Sequence, residues 1–141
     1  MTQADRARTA VTAMLAHPEG TRRPTPSVKA ARAALRSLGV LSREARRIEG
    51  NPAARDMVAI AVSDALTDAF HLGRTYALSP QDLEQLHIAR LSGRPFPDWT
   101  NGRTQALACH VGNLRHMARA YGLCEDQLFD GAEQIYKHEI A

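Results

Sequence analysis

The chain has 141 residues, of which 44% are hydrophobic and 23% are charged, the size and composition of a single soluble globular domain. No apolar run approaches the roughly 20 residues that span a bilayer, two cysteines are too few for a disulfide framework, and the N-terminus lacks the layout of a secretory signal. We therefore expect a cytoplasmic protein without membrane contact. The net charge of +3 is unevenly divided, because residues 1–55 hold eleven Lys and Arg against four Asp and Glu, whereas residues 56–141 hold seven against eleven.

The first third of the chain is predicted to contain three helices and a linker. A first helix ends before His17, and its apolar residues keep helical spacing at Ala4, Ala7, Val11 and Met14. Three prolines and a glycine predict a linker at residues 18–26. Ser27 caps a second helix that Gly39 terminates, and a short helix is predicted at about 42–49.

The rest of the chain is predicted to be helical around one long central helix. Asn51-Pro52 is a strong helix start, and the helix that it opens is predicted at about 52–78. Its apolar residues cover more than half of its circumference, which is typical of a helix surrounded by others. Further helices follow a capping box at residues 79–82 and cover about 103–121 and 125–140. The predicted fold is an all-α compact bundle of six or seven helices.

The cations cluster in a basic N-terminal region, about 1–50, which the linker at 18–26 joins to the rest of a single helical domain covering 1–141. On the second helix they fall three and four residues apart and so share the side opposite its apolar face. Cations at this density have two interpretations. They contact the phosphate backbone of a nucleic acid, with a binding affinity that falls steeply as the salt concentration rises, or they only keep the protein surface solvated. The candidate contacts for nucleic acid or another acidic partner are Arg22, Arg23, Lys29, Arg32, Arg36, Arg43, Arg46 and Arg47.

Part of this region resembles a helix-turn-helix. Gly39 matches the glycine that closes the first helix, and Ala45 and Ile48 match apolar places in the recognition helix, which enters the major groove in that motif. The match covers residues 34–48, and Leu35 stands where members usually carry a small residue. The resemblance implies contact with duplex DNA, and many corners between two helices share the same pattern.

A long loop at residues 92–102 carries the only tryptophan of the chain. Its phenylalanine lies between two prolines, and tryptophan and arginine are the residues that dominate interface hot spots. The loop predicts either a stiff surface for protein contact or aromatic side chains that fold back over the core. The candidate contacts for a protein partner are Arg94, Phe96, Trp99 and Arg103.

Two pairs of an acid and a histidine, each one helical turn apart, match part of a di-metal carboxylate site in a helical bundle. The pairs are Asp68 with His71 and Glu84 with His87. That design also needs an isolated glutamate on each of two further helices, and none is evident, so we expect no metal and no cofactor. The polar side of the central helix predicts a surface that faces solvent, formed by Asp64, Asp68, His71 and Arg74.

His110 differs from the other histidines because it projects with apolar residues of its helix. A histidine in that place is either a hydrogen-bonded core residue or a ligand or proton switch. No Ser–His–Asp or Cys–His arrangement and no glycine-rich phosphate loop is evident in the sequence. No catalytic residue is therefore predicted.

Residues 113–128, NLRHMARAYGLCEDQL, place two helices around a turn at Gly122. This segment resembles the final helical pair of MazG-type nucleotide pyrophosphohydrolases. The resemblance implies an all-α fold, magnesium held by carboxylates on two helices, and hydrolysis of nucleoside triphosphates. Asp64 and Asp68 match the first carboxylate set only loosely, and residues 106–110 carry no acid for the second set. Without the second set, a magnesium ion and the water that it activates lack the carboxylate ligands that hold them in that family.

These patterns give three hypotheses for function. The first is a non-catalytic binding or regulatory protein whose Arg22–Arg47 region contacts nucleic acid or a nucleic-acid-bound complex. The second is a protein-interaction adaptor that uses the Phe96–Trp99 loop, and the third is a degenerate MazG-like nucleotide pyrophosphohydrolase. A homodimer is left open, because the wide apolar stripe of the central helix is covered either by neighbouring helices or by a second copy.

Overall fold

In the computed structural model the described residues are 2–23, 25–39 and 52–141. These residues form six α-helices and a short 3₁₀ turn, and none of them lies in a strand, so the all-α prediction is confirmed. The elements are α1 (Gln3–Leu15), the 3₁₀ turn (Pro18–Thr21), α2 (Val28–Ser37), α3 (Pro52–Thr75), α4 (Pro80–Leu91), α5 (Gly102–Ala120) and α6 (Glu125–Ile140). The short helix at about 42–49, and with it the second half of the helix-turn-helix resemblance, lies outside the described residues.

Two helices, α3 and α5, form the centre of the bundle. As predicted, α3 packs against its neighbours α1, α5 and α6, while α5 also packs against α2, α4 and the 3₁₀ turn. The core is aliphatic and aromatic, with Phe70 of α3 edge-on to Phe129 of α6 at 5.0 Å between ring centroids. The central position of α5 was not predicted, because this helix buries His110, Asn113 and Arg115 along with its apolar residues.

The helix α1 packs against α3 through small side chains. Its buried residues are Ala7, Ala10 and Ala13, and alanines allow two helix backbones to approach closely. The predicted apolar face is therefore wrong at Ala4 and Val11, which are both exposed. The larger apolar residues of α1 lie off this alanine face: Met14 packs against the core, whereas Val11 and Leu15 are exposed.

The polar side of α3 is covered by α1 and α6 at Asp68 and His71, while Asp64 and Arg74 are exposed. Arg6 of α1 donates hydrogen bonds to Asp68 at 2.9 Å and to Glu139 of α6 at 3.0 Å, and Glu139 also lies 3.1 Å from His71 Nε2. The predicted solvent-facing surface is therefore wrong for the buried Asp68 and His71. Burial raises the pKa of the Asp68 carboxyl to about 6, against the opposing effect of Arg6.

The C-terminus of α3 is a Schellman turn that has alanine where glycine is usual. The Leu78 N–H donates to the Gly73 carbonyl at 2.8 Å, and the Ala77 N–H donates to the Arg74 carbonyl at 3.1 Å. This arrangement places Ala77 in the left-handed region, with φ of 59°. The α-helix thus ends at Thr75, before the predicted end at about residue 78.

Candidate functional site

The described candidate contacts for nucleic acid line two surface depressions. Arg22 and Arg23 follow the 3₁₀ turn, while Lys29, Arg32 and Arg36 lie on α2. Arg32 is half-buried, and its guanidinium donates to the hydroxyl of Tyr121 at 3.2 Å and lies 5.8 Å from the centroid of that ring. The other three predicted contacts lie outside the described residues: Arg43, Arg46 and Arg47.

The smaller depression, which we call the α2 depression, encloses about 440 Å³. Among the described residues, it is lined by His17, Lys29, Arg32, Ala33 and Arg36. The cations share one side of α2 because the opposite side is buried against the bundle. His17 is fixed in place because its Nδ1 accepts the N–H of Gly20 at 3.1 Å and so caps the 3₁₀ turn.

The larger depression is a groove of about 690 Å³, which we call the arginine groove. It lies between α1, the 3₁₀ turn with the residues that follow it, the C-terminal ends of α3 and α4, the loop at 92–101 and the first turns of α5. Its volume falls within the roughly 300–1,000 Å³ that is typical of small-molecule sites in proteins.

Part of the wall of the arginine groove is apolar. Val11, Met14 and Leu15 of α1 line it together with Tyr76 and Phe96. Leu15 is 68% exposed and Val11 is 39% exposed, so this wall is open to water. A single exposed leucine is ordinary on a protein surface, whereas several apolar side chains in one concave site indicate a binding function.

Arginines from three parts of the chain line the same groove. They are Arg22, Arg23, Arg90, Arg94 and Arg103. Among the described residues that line the groove there is no aspartate or glutamate, and among the described ion pairs only Arg23 of this set takes part, with Glu19 at 3.6 Å. The groove therefore unites two residues of the predicted nucleic-acid contact, Arg22 and Arg23, with three of the predicted protein contact, Arg94, Phe96 and Arg103.

Arg90 is the buried member of this set, with 5% of its surface exposed. Its guanidinium donates to the carbonyls of Arg23 at 2.9 Å, Thr25 at 2.8 Å and Cys109 at 3.2 Å, and to Asn113 Oδ1 at 3.3 Å. Burial lowers the pKa of Arg90. Because oxygen dipoles rather than a carboxylate satisfy this guanidinium, it contributes positive charge to the groove wall.

Asn113 of α5 also binds this stretch of backbone. Its amide donates to the Gly20 carbonyl at 3.0 Å, and its Oδ1 accepts the Ser27 N–H at 2.9 Å. The chain passes so close to α2 here that a Cβ on Gly20 would collide with that of Ala30. Arg90 and Asn113 thus satisfy the backbone groups of the predicted linker, which has little secondary structure of its own.

The two aromatic residues of the loop at 92–101 have different environments. Phe96 is half-buried, packs against the core and lines the groove, whereas Trp99 is 60% exposed and does not line it. Phe96 therefore folds back against the core, whereas Trp99 does not, and contact of this loop with a protein stays a prediction. Asn101 fixes the end of the loop, because its Oδ1 accepts the N–H groups of Arg103 and Thr104 at the start of α5.

The two pairs that match part of a metal site both have charged partners from other helices. Arg6 and Glu139 engage the pair on α3, as described above, while on α4 Glu84 lies 3.6 Å from Arg115 and His87 is buried. Arg115 also pairs with Glu125 and Asp126 at the start of α6. Across the described ranges, no group of three or more His, Cys, Asp or Glu side chains is placed to hold a metal ion.

Two buried histidines lie in the core. His110 is 2% exposed, and burial lowers its pKa to about 4, so it takes the neutral form at pH 7. Burial, together with the charges of Arg115 and Arg90, lowers the pKa of His87 to about 4 as well. His110 therefore lies in the core, where its Nε2 has no hydrogen-bond partner among the described residues.

Comparison of the chain with protein-family models, with curated proteins and with solved structures finds no match. No helix in the described part of the chain is both long enough and apolar enough to pass through a bilayer. The geometry of the two depressions is therefore the basis for proposing a function.

The sequence patterns missed the apolar wall of the groove and the burial of Arg90. A signal for the wall is present in α1, since Val11 and Leu15 are four residues apart and lie off the alanine face of the helix. No such signal exists for Arg90, because its four partners lie on the linker and on α5. Their positions depend on tertiary structure.

Proposed function

We propose that the protein acts by binding, and that the α2 depression contacts the phosphate backbone of a nucleic acid. The observation that carries this proposal is the convergence of three cations, Lys29, Arg32 and Arg36, on one depression along the same side of α2. Cations in such a site contact phosphate oxygens, which gives affinity and position without reading the base sequence.

The second group of cations is adjacent to the first. His17 lines the α2 depression and Pro18, the next residue, lines the arginine groove. The two linings therefore meet at the 3₁₀ turn, and Arg22 and Arg23 follow directly after it. An extended polyanion is the class of partner that makes use of both.

Fluorescence anisotropy with short labelled duplex DNA, single-stranded DNA and RNA tests the proposal. We expect binding at low salt, with the logarithm of affinity falling linearly with the logarithm of salt concentration. The double variant Lys29→Ala/Arg36→Ala should bind more weakly and lower the magnitude of the salt slope by about 2, since it removes two cations from the lining of the depression.

The matched control removes two exposed cations that line neither depression, Arg74→Ala/Lys137→Ala, on α3 and α6. It should leave the salt slope near that of the wild type. Failure to bind at low salt contradicts the proposal, and so does an equal loss in both double variants, because that result indicates a response to net charge alone.

A second candidate function, contact with a protein partner, is favoured by the exposure of Trp99. A tryptophan that is 60% exposed on a loop fixed at its end by Asn101 is available to fill a pocket on another protein. We expect Trp99→Ala to abolish recovery of a partner by the immobilised protein without changing its thermal stability. Lys29→Ala/Arg36→Ala should leave that recovery intact, and loss in both variants would contradict this function.

A further inference from the structure

We infer that the arginine groove binds a small amphipathic anion, a molecule with one carboxylate or phosphate group on an apolar body. This inference goes beyond contact with nucleic acid. A phosphate backbone provides negative charge but no hydrocarbon for the apolar wall, and an uncharged hydrocarbon leaves the arginines unused.

The apolar part of the site is formed where α1 passes the loop at 92–101. Leu15 and Val11 expose much of their surface to water, and Phe96 and Tyr76 add half-buried aromatic surface to the same groove. Water beside such side chains is displaced favourably by a hydrocarbon chain or an aromatic ring, and the concave shape allows one ligand to touch several of them.

The charged part of the site is formed by arginines whose side chains are available. In the described part of the chain, no hydrogen bond or ion pair involves the side chain of Arg22, Arg94 or Arg103. A guanidinium presents a planar fork that matches the two oxygens of a carboxylate or phosphate. The site therefore has donors for one anionic group beside the apolar wall.

Buried Arg90 supports the same assignment. It is more than nine-tenths buried in the lining of the groove, and its guanidinium is satisfied by carbonyl and amide oxygens with no carboxylate. Its charge raises the electrostatic potential of the groove, while its bonds to the backbone of Arg23 and Thr25 hold the adjacent segment in place. The site is thus formed before a ligand arrives, which lowers the entropy lost on binding.

Charge complementarity selects a separate ligand over a second copy of the chain. A two-fold contact through this groove would set its arginines against the same arginines of the partner. A ligand that carries one anionic group is complementary in charge to the arginines of the groove. The groove volume of about 690 Å³ suits one small molecule.

The first experiment uses the fluorescent probe 1-anilinonaphthalene-8-sulfonate, which is itself an aromatic anion, with isothermal titration calorimetry as a second measurement. We expect the probe to brighten on the full-length protein, and decanoate and decyl phosphate to displace it with one molecule bound per chain. Decanamide, which has the same chain length without the charge, should need a roughly ten-fold or higher concentration.

Two variants with matched controls locate the site. Leu15→Asp places a negative charge on the apolar wall at an exposed position and should weaken decanoate binding roughly ten-fold or more. Leu91→Asp changes another leucine, 57% exposed and outside the groove lining, and should leave binding unchanged. Arg94→Ala/Arg103→Ala should also weaken binding, whereas Arg74→Ala/Lys137→Ala should not.

Several results would overturn the inference: no binding of decanoate, equal displacement by decanoate and decanamide, or equal effects of Leu15→Asp and Leu91→Asp. Displacement by an acidic peptide but not by decanoate would also overturn it and would assign the groove to a protein segment. The outcome is separable from that for nucleic acid, because Lys29→Ala/Arg36→Ala removes no residue of this groove and should bind decanoate normally.

Discussion

Ala77 occupies a backbone conformation that is unfavourable for any residue with a Cβ atom. Its φ of 59° lies in the left-handed region, where steric contact with the following carbonyl costs roughly 1–2 kcal/mol. The end of α4 has the same pair of hydrogen bonds, from Arg94 to Ala89 at 3.0 Å and from Gly93 to Arg90 at 3.1 Å, but with Gly93 at φ 68°. The two helix ends therefore differ mainly in whether this position carries a side chain.

We predict that Ala77→Gly stabilises the protein by about 1 kcal/mol, because relief of the left-handed strain exceeds the extra freedom that glycine has in the unfolded chain. Ala77 is exposed, so no buried contact is lost. Gly93→Ala should destabilise by about 1 kcal/mol or more through backbone strain alone, since a Cβ at Gly93 would have no atom within 4 Å. Urea unfolding of both variants measures the effect, and changes of the same sign would contradict it.

At the scale of elements, the sequence predicted the starts of helices better than their faces. Ser27 caps α2 and Ser79 caps α4 as expected, with the Ala30 and Asp82 N–H groups each donating to the serine at 3.1 Å. These caps depend on residues within one turn, so the local sequence contains the whole interaction. The loop at 92–102 was placed correctly for the same reason, because its glycines and prolines act locally.

The buried polar residues could not be predicted, because their partners lie far away in the chain. Arg6 meets Asp68, and Arg115 contacts Phe129 of α6 with its guanidinium 4.9 Å from the ring centroid. Each of these side chains falls on a polar or mixed helix face, where a solvent-exposed position is the ordinary expectation. The arginine groove was missed for the same reason, since it exists only where α1, the linker and the loop meet.

The packing of α4 on α5 depends on the absence of a side chain at Gly112. A Cβ there would lie 2.5 Å from His87 Nδ1 and 3.1 Å from an Arg90 nitrogen. We predict that Gly112→Ala destabilises the protein by about 1–3 kcal/mol, because neither the buried ring nor the hydrogen-bonded guanidinium has room to move. The measurement is urea unfolding.

Gly131→Ala is the matched control for this prediction. Gly131 also lies within a helix, α6, but nothing lies within 4 Å of its Cβ position. Alanine has the higher helix propensity, so this variant should be more stable by about 0.5–1 kcal/mol. A similar loss in both variants would show that contact with His87 and Arg90 is not the cause.

At the scale of the whole molecule, buried titratable groups predict how stability depends on pH. His87 and His110 have pKa values lowered from 6.5 to about 4. Their contribution to the free energy of unfolding is therefore complete above pH 6.5 and decreases as the pH falls toward 4, by up to about 3 kcal/mol for each histidine. Asp68 acts in the opposite sense. Its pKa is raised to about 6. The contribution of this carboxyl group to the free energy of unfolding is therefore complete below about pH 4 and is lost as the pH rises through 6.

The combined effect of the two histidines on the free energy of unfolding is larger than that of the one aspartate. We therefore predict that the free energy of unfolding decreases as the pH is lowered from 6.5 to 4.5. In urea unfolding across this range, His110→Gln should reduce the fall because it removes one of the two histidines. Asp68→Asn should increase the fall because it removes the group that opposes them. An unchanged pH dependence in both variants would contradict these assignments.

The hydrogen bonds of Arg90 and Asn113 to residues 20–27 also connect the placement of this segment to helices that lie later in the chain. They join Gly20, Arg23, Thr25 and Ser27 to residues between 65 and 93 positions further along the chain. Closing such long loops is entropically unfavourable until the later helices have packed. During synthesis, residues 20–27 precede α4 and α5 by more than 50 positions, so the backbone beside Arg22 and Arg23 gains these hydrogen bonds only after both helices have been made.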